Sequence, residues 1–243
     1  MKNRRSFIKK STLSLAGITF LNSISAKSYR KIIGSNERIN IAFQGLGRRI
    51  PGLMTGALAY KNIEVSYLCD VMDNQIKKAS ERYFNLTGKT TKSEKNIHRI
   101  FEDKDVDAII MATPDHWHAY GACKAMESGK HVYLEKPCSH NMNESDLLVN
   151  YQKYFKKVVQ MGNQQRSSPH TIELMQKIKD GEIGKTYKAT AFYHSNRPRV
   201  PNQVIASVPQ GLNWNLFQGP AVRREYTYNT CLLYTSPSPR DKS

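Results

Sequence analysis

Three short stretches place residue types at spacings that could do chemistry. The first, YLEKPCSHN (Tyr133 to Asn141), sets a lysine between a glutamate and a proline directly after an apolar run. Proline fixes its own φ and restricts the residue before it, so the Lys136 ammonium is aimed rather than free. Beside a hydroxyl under oxidation, such a cation would favour the developing alkoxide and relay its proton while hydride leaves the carbon. The second stretch, GLGRRIPG (Gly45 to Gly52), follows the apolar run INIAFQ. It keeps the two leading glycines of GxGxxG, puts Ile50 where the third would stand and has Gly52 two places later. Gly45 would permit a tight turn, and Gly47 would let backbone approach a pyrophosphate resting on a helix N-terminus. The third is Asp70, ending IEVSYLCD. A carboxylate there would accept hydrogen bonds from an adenosine ribose diol and repel a ribose 2′-phosphate, favouring NAD over NADP, a preference that Arg48 and Arg49 could blunt. Each stretch also has a plainer reading: a solvated lysine, an ordinary glycine turn and a capping carboxylate.

The elements that would position these residues alternate in kind. Ile39–Gln44 reads as a strand, followed by the glycine turn and a helix from about Arg49. Ile63–Asp70 reads as a second strand, and NQIKKASERYF as a helix with Ile76, Ala79, Tyr83 and Phe84 on one face. Asn85 to Lys95 is polar and reads as a loop. Then follow a strand at Asp107–Thr113, a helix at Trp117–Ser128, a strand at His131–Leu134, a helix at Asn143–Phe155 and a strand at Val158–Met161. This rhythm predicts an α/β fold, a doubly wound parallel sheet covered on both faces. Beyond Gly162 the rhythm changes, with a helix at Thr171–Lys179 and a longer alternating strand in KTYKATAFYHSN. The boundaries predict a nucleotide-binding domain at 38–162 and the start of an incomplete α+β substrate domain at 163–228.

At this point the text resembles a known family. The segment ATPDHWHAYGACKAMESGKHVYLEKPCSHN, taken with GLG and Asp70, is similar to the glucose-fructose oxidoreductase and inositol dehydrogenase family, Gfo/Idh/MocA. The likeness runs from Ile39 to about Tyr228 and includes VQMGNQQRSSP and LNWNLFQGPA. It implies a Rossmann-type domain followed by an open α/β domain whose sheet covers the nicotinamide. It also implies an NAD-dependent oxidoreductase acting on a sugar, polyol or related carbohydrate, and a homo-oligomer at full length. Carried over residue by residue, Gly45, Leu46, Gly47, Arg48, Arg49 and Asp70 face the cofactor, Thr113 and Pro114 line it, Glu135 helps hold the nicotinamide ribose, and Lys136 reaches the substrate. His118 is read as touching cofactor or packing, and Gln164 and Arg166 as facing the site or as loop polarity. The family's second domain supplies an Asp and a His that complete its acid/base set; no segment of this chain is matched to them. A second reading is an NAD-dependent glycosidase of the same superfamily, which oxidises a sugar carbon transiently, eliminates and re-reduces. The intact lysine favours the dehydrogenase, because such glycosidases lack it.

Other features exclude function classes. His116 and His118 lie two residues apart at a helix start, so their side chains diverge, and no third ligand is placed for a metal. Trp117 and Trp214 read as core before they read as sugar-stacking surfaces. The net charge of +17 is concentrated at the start, where residues 1–31 hold eight Lys and Arg and no acid. With no basic stripe interleaved with aromatics, nucleic-acid binding is not expected. That start, NRRSFIKKSTLSLAGITFLNSISA, has an export signal's anatomy and resembles the twin-arginine type through Arg4 and Arg5. It predicts contact with export machinery and a periplasmic protein, with membrane association if the signal is uncleaved, but no stable transmembrane span. At the other end, 229–243, the run CLLYTSPSPRD resembles the translation of a transposase-type sequencing adapter. The expectation is a natural sequence ending near Asn229, and a 243-residue chain that binds cofactor poorly and turns over little. Cys69, Cys123, Cys138 and Cys231 show no paired spacing and read as free thiols.

Overall fold

A computed structural model describes residues 37–192 and 204–228. The expected export signal at 1–31 and the adapter-like run lie outside the described residues. Six strands form one parallel sheet: β1 (Ile39–Gln44), β2 (Ile63–Cys69), β3 (Lys92–Glu94), β4 (Ala108–Met111), β5 (His131–Glu135) and β6 (Val159–Gly162). Their order is β3-β2-β1-β4-β5-β6, and every neighbouring pair is parallel. That is the doubly wound arrangement, with the reversal of strand order between β1 and β4. A parallel sheet sends all strand C-termini to one edge, so residues far apart in sequence meet there.

Strand alternation divides the core into two layers. Ile41 and Phe43 of β1 point to one face, with Val65 and Leu68 of β2; α1 (Ile50–Leu58) and α2 (Asp73–Thr87) cover them through Ile50, Met54, Ala79 and Tyr83. Ala42, Ile109, Met111, Val132 and Leu134 point to the other face. There they meet α3 (Ile97–Glu102), α4 (His118–Glu127) and α5 (Met142–Phe155), which contribute Ile100, Phe101, Ala122, Met126 and Leu148. Of these, Phe43, Ile100, Ile109, Met111 and Met126 are buried completely, each removing roughly 1.5–3 kcal/mol worth of side chain from water. Helix ends obey local rules. The Asn96 and Asn141 side chains accept the His98 and Glu144 amides at the starts of α3 and α5, and α2 stops at Gly88 in the left-handed conformation.

Three expectations need correction. β3 and α3 stand in and beside the stretch read as loop. Lys92–Glu94 is three polar residues long and is a strand because β2 offers it an edge, which periodicity cannot show. The described part of the alternating segment, Lys185–Phe192, holds no strand; Tyr187 and Phe192 are exposed and no strand stands beside it among the described residues. A strand without a partner leaves its backbone groups unpaired, so alternation alone does not make one. Lastly, α4 is preceded by a separate 3₁₀ turn, Asp115–Trp117. After β6 come a further 3₁₀ turn (Gln164–Ser167) and α6 (Pro169–Lys179), and α7 (Trp214–Gln218) ends the series among the described residues. No helix among the described residues is long and apolar enough to cross a membrane.

Candidate active site

The loops leaving β1, β2, β4 and β5 converge on the edge where the sheet reverses, the place where doubly wound sheets bind ligands. Gly45 has φ +79, and a Cβ there would stand 2.7 Å from the backbone of Ala112 and Thr113. The turn leaving β1 is therefore pressed against the turn leaving β4. Gly47 is the opposite case, since a Cβ there would meet nothing within 4 Å. The space over Gly47 is open backbone at the entrance to α1, which is the cradle a pyrophosphate requires.

Asp70 ties this turn to the exit of β2. Its Oδ2 accepts the Leu46 amide at 2.6 Å and its Oδ1 the Met72 amide at 2.9 Å. Each carboxylate oxygen keeps a further lone pair, so the group still suits a ribose diol. Burial pushes the Asp70 carboxyl above the usual carboxylate range, against the pull of its backbone N–H partners. For folding, this group's contribution falls as pH rises from its unfolded value through its raised folded value. For a ribose the sign is reversed, because only the ionised form accepts from both hydroxyls. NAD affinity of full-length protein is thus expected to weaken as pH falls, beginning above the ordinary carboxylate range. Asp70→Asn should bind about tenfold or more weakly with a flat profile over the same pH steps. Calorimetry at stepped pH checks it; a flat wild-type profile would remove Asp70 from the ribose.

Leu46 contributes only its amide here, since its side chain is 4% exposed and lies in the core with Ile50. Arg48 is exposed. Arg49 turns toward β5, where its Nε donates to Glu135 Oε1 at 2.6 Å. The Glu135 bond holds the guanidinium above its ordinary value. The expectation that Arg49 offsets Asp70 is corrected accordingly, as the cation is committed to a buried carboxylate at the other side of the crevice.

Thr113 and Pro114 leave β4 beside Gly45, and the Thr113 hydroxyl is a buried oxygen without a hydrogen-bond partner. An orphaned hydroxyl at this edge, an open glycine cradle and a carboxylate at the β2 exit together fit a dinucleotide. Glu135 ends β5, buried, and its Oε2 accepts the Lys136 amide at 3.3 Å. Lys136 and Pro137, joined by a cis peptide, are exposed. Gln164 and Arg166 are exposed on the 3₁₀ turn after the edge strand β6. Of the two readings of His118, packing holds and cofactor contact is corrected: the residue is 0% exposed, with its ring nitrogens at the carbonyls of Pro137 and Thr113, so no ligand can reach it as folded.

Sequence reasoning also missed what covers the β2 and β4 exits. Gly211 O accepts the Asp73 amide, the Asn213 amide donates to Val71 O, and the Trp117 indole donates to the carbonyls of Leu216 and Phe217. His116 Nε2 lies 2.8 Å from Phe217 O, so it donates and leaves Nδ1 unpartnered, while burial pushes the ring below its ordinary value. A Cβ at Gly219 would meet the Trp117 indole at 2.2 Å, so the returning segment passes with no side chain between. Trp214 stacks on Phe217 and donates to Arg224 O. Both tryptophans are thus occupied in packing. Among the thiols, burial raises Cys69 and pushes Cys123 up to about 11, which keeps both unreactive.

A profile of the family described as "Oxidoreductase family, NAD-binding Rossmann fold", Gfo/Idh/MocA, matches residues 39–163. The chain belongs to this family. It is 26% identical over 208 residues to a glycosyl hydrolase family 109 protein of Shewanella pealeana, covering 79% of this chain and 46% of that one. It is 27% identical over 155 residues to an inositol 2-dehydrogenase of Salmonella typhimurium, covering 63% and 43%. The crystal structure of a WlbA dehydrogenase from Chromobacterium violaceum with NADH and UDP-GlcNAcA superposes with a TM-score of 0.53 and 26% identity, covering 60% of this chain and 41% of that one. The chain spans less than half the length of these relatives. Its fold is the NAD-binding Rossmann domain of this family.

Proposed function

We propose that the full-length protein transfers a hydride between NAD and a CH–OH carbon of a sugar, polyol or related carbohydrate, with Lys136 as the catalytic residue. The observation that carries this reading is the exposed Lys136 at the C-terminal end of β5, held between a buried carboxylate and a proline at the crevice where the strand order reverses. NAD, when bound, supplies the hydride acceptor. Gly45 and Gly47 hold the backbone open for its pyrophosphate, Asp70 accepts from its adenosine ribose, and Glu135 from its second ribose. Lys136 presents its ammonium to the substrate oxygen, favours the alkoxide over the hydroxyl and relays the proton. The remaining acid/base groups belong to a second domain. Arg4, Arg5 and the basic start support export to the periplasm with NAD already held.

The glycosyl hydrolase family 109 relatives support a second reading, a glycosidase that oxidises and re-reduces within one turnover. The lysine favours the first, since the resemblance implies that such glycosidases lack a lysine at this position, where Lys136 is intact here. The deciding experiment incubates full-length protein with NAD, free sugars and nitrophenyl glycosides, reading nicotinamide absorbance and nitrophenol separately. Reduced cofactor accumulating with a free sugar and no nitrophenol is the expected result. Nitrophenol released over many turnovers with no net change in NAD would establish the glycosidase instead.

A further inference from the structure

Lys136 has a long flexible side chain on an exposed turn, yet it must meet one substrate oxygen. What holds its backbone is visible on both sides. Before it, Glu135 is buried and bonded to Arg49. After it, the Pro137 carbonyl oxygen lies 2.5 Å from His118 Nδ1. The same ring reaches Thr113 O through Nε2 at 2.9 Å. Thr113 follows β4 and Pro137 follows β5, and these strands are paired neighbours. One buried ring at the start of α4 therefore ties together the two loops that the proposed chemistry uses.

We propose that His118 is the positioning residue for Lys136, an inference that rests on the role given to Lys136 above. A neutral imidazole carries one N–H, so one tautomer donates to the Pro137 carbonyl through Nδ1 and the other to the Thr113 carbonyl through Nε2. The hydrogen is assigned to Nδ1, so that the ring donates across the shorter contact to the Pro137 carbonyl. A buried ring with no ligand access and two backbone partners on separate loops acts by fixing those loops. The effect on turnover is transmitted through the turn at Pro137, one residue from the lysine.

The test separates the two bonds. An asparagine amide can stand where Nδ1 does and keep the Pro137 bond, whereas a glutamine amide reaches the Nε2 position and keeps the Thr113 bond. In full-length protein, His118→Asn should retain kcat at least about tenfold better than His118→Gln, with NAD affinity alike in the two. In a Lys136→Ala background the loss from His118→Gln should largely vanish, because a residue acting through another is not additive with it. Hydrogen exchange by mass spectrometry gives a readout independent of activity: in His118→Gln, peptides covering 136–140 should exchange faster, while those covering β1 do not change. Equal kcat in the two variants, full additivity with Lys136→Ala, or unchanged exchange at 136–140 would each overturn the proposal. If Lys136→Ala alone keeps full turnover while exchange at 136–140 still rises, the role given to Lys136 fails and the tie to the turn stands as structure only. Should His118→Gln not fold, His118→Asn against wild type reads the Thr113 bond, and the proposal then requires near-wild-type kcat.

Discussion

Lys136→Ala in the full-length protein is expected to lower kcat by about 10²–10⁴-fold while NAD affinity stays within about threefold of wild type. The split follows from where the side chain stands. Lys136 is exposed at the end of β5, whereas the groups proposed to hold the dinucleotide are Gly45, Gly47 and Asp70 at the exits of β1 and β2, together with the neighbouring Glu135, whose side chain the substitution leaves in place. Removing the ammonium leaves Glu135 buried and bonded to Arg49, so the turn keeps its shape and the loss falls on the proton-handling step. Lys136→Arg should recover only part of the rate, because a guanidinium keeps the charge but does not give up a proton and carries it on a broader head. Single-turnover absorbance of the nicotinamide, beside calorimetric NAD binding, separates the two quantities. A variant with unchanged kcat, or one whose deficit is wholly in NAD binding, would remove Lys136 from the chemistry and leave the fold untouched.

Much of this architecture is legible without coordinates because the signals are local. The apolar runs at Ile39, Ile63, Ala108, His131 and Val159 are separated by helical spacing, and only a parallel sheet accommodates that alternation. Glycines after the first run and an acid after the second can be read the same way, as each acts within a few residues of its own strand. What resists reading depends on neighbours in space. The strand at Lys92–Glu94 exists because β2 has a free edge, and nothing in KSE announces it. Arg49 looks like a cation near the adenosine end, but its partner is 86 positions away on β5. His118 stands in a motif full of polar residues and could as well have faced the crevice; its burial follows from the Thr113 and Pro137 carbonyls closing on it from two loops. The segment returning at 211–219 offered the signal of a glycine after an aromatic helix, but only the fold shows that Gly219 is bare because the Trp117 ring lies on it.

Gly45 and Gly47 are written as one motif, and their expected responses to the same methyl group differ. In Gly45→Ala the Cβ would stand 2.7 Å from Ala112 C, Ala112 O and Thr113 N, all backbone atoms that cannot rotate away. The residue also holds φ +79, where an L side chain costs about 1–2 kcal/mol before any collision. Adding roughly 1–3 kcal/mol for overpacking a close contact gives a loss of about 2–5 kcal/mol in unfolding free energy. Relief requires the β1 and β4 exits to part, so NAD binding should be lost together with stability. Gly47→Ala has no such collision, and urea unfolding should give an unfolding free energy within about 0.5 kcal/mol of wild type. Its methyl group instead projects into open space that the proposed pyrophosphate would use, so NAD affinity should fall by about tenfold or more with the fold intact. Urea titration and calorimetry on the two variants decide the matter as a pair. A Gly47→Ala protein that binds NAD like wild type would place the dinucleotide elsewhere, and a Gly45→Ala protein of wild-type stability would mean that the two turns are not pressed together.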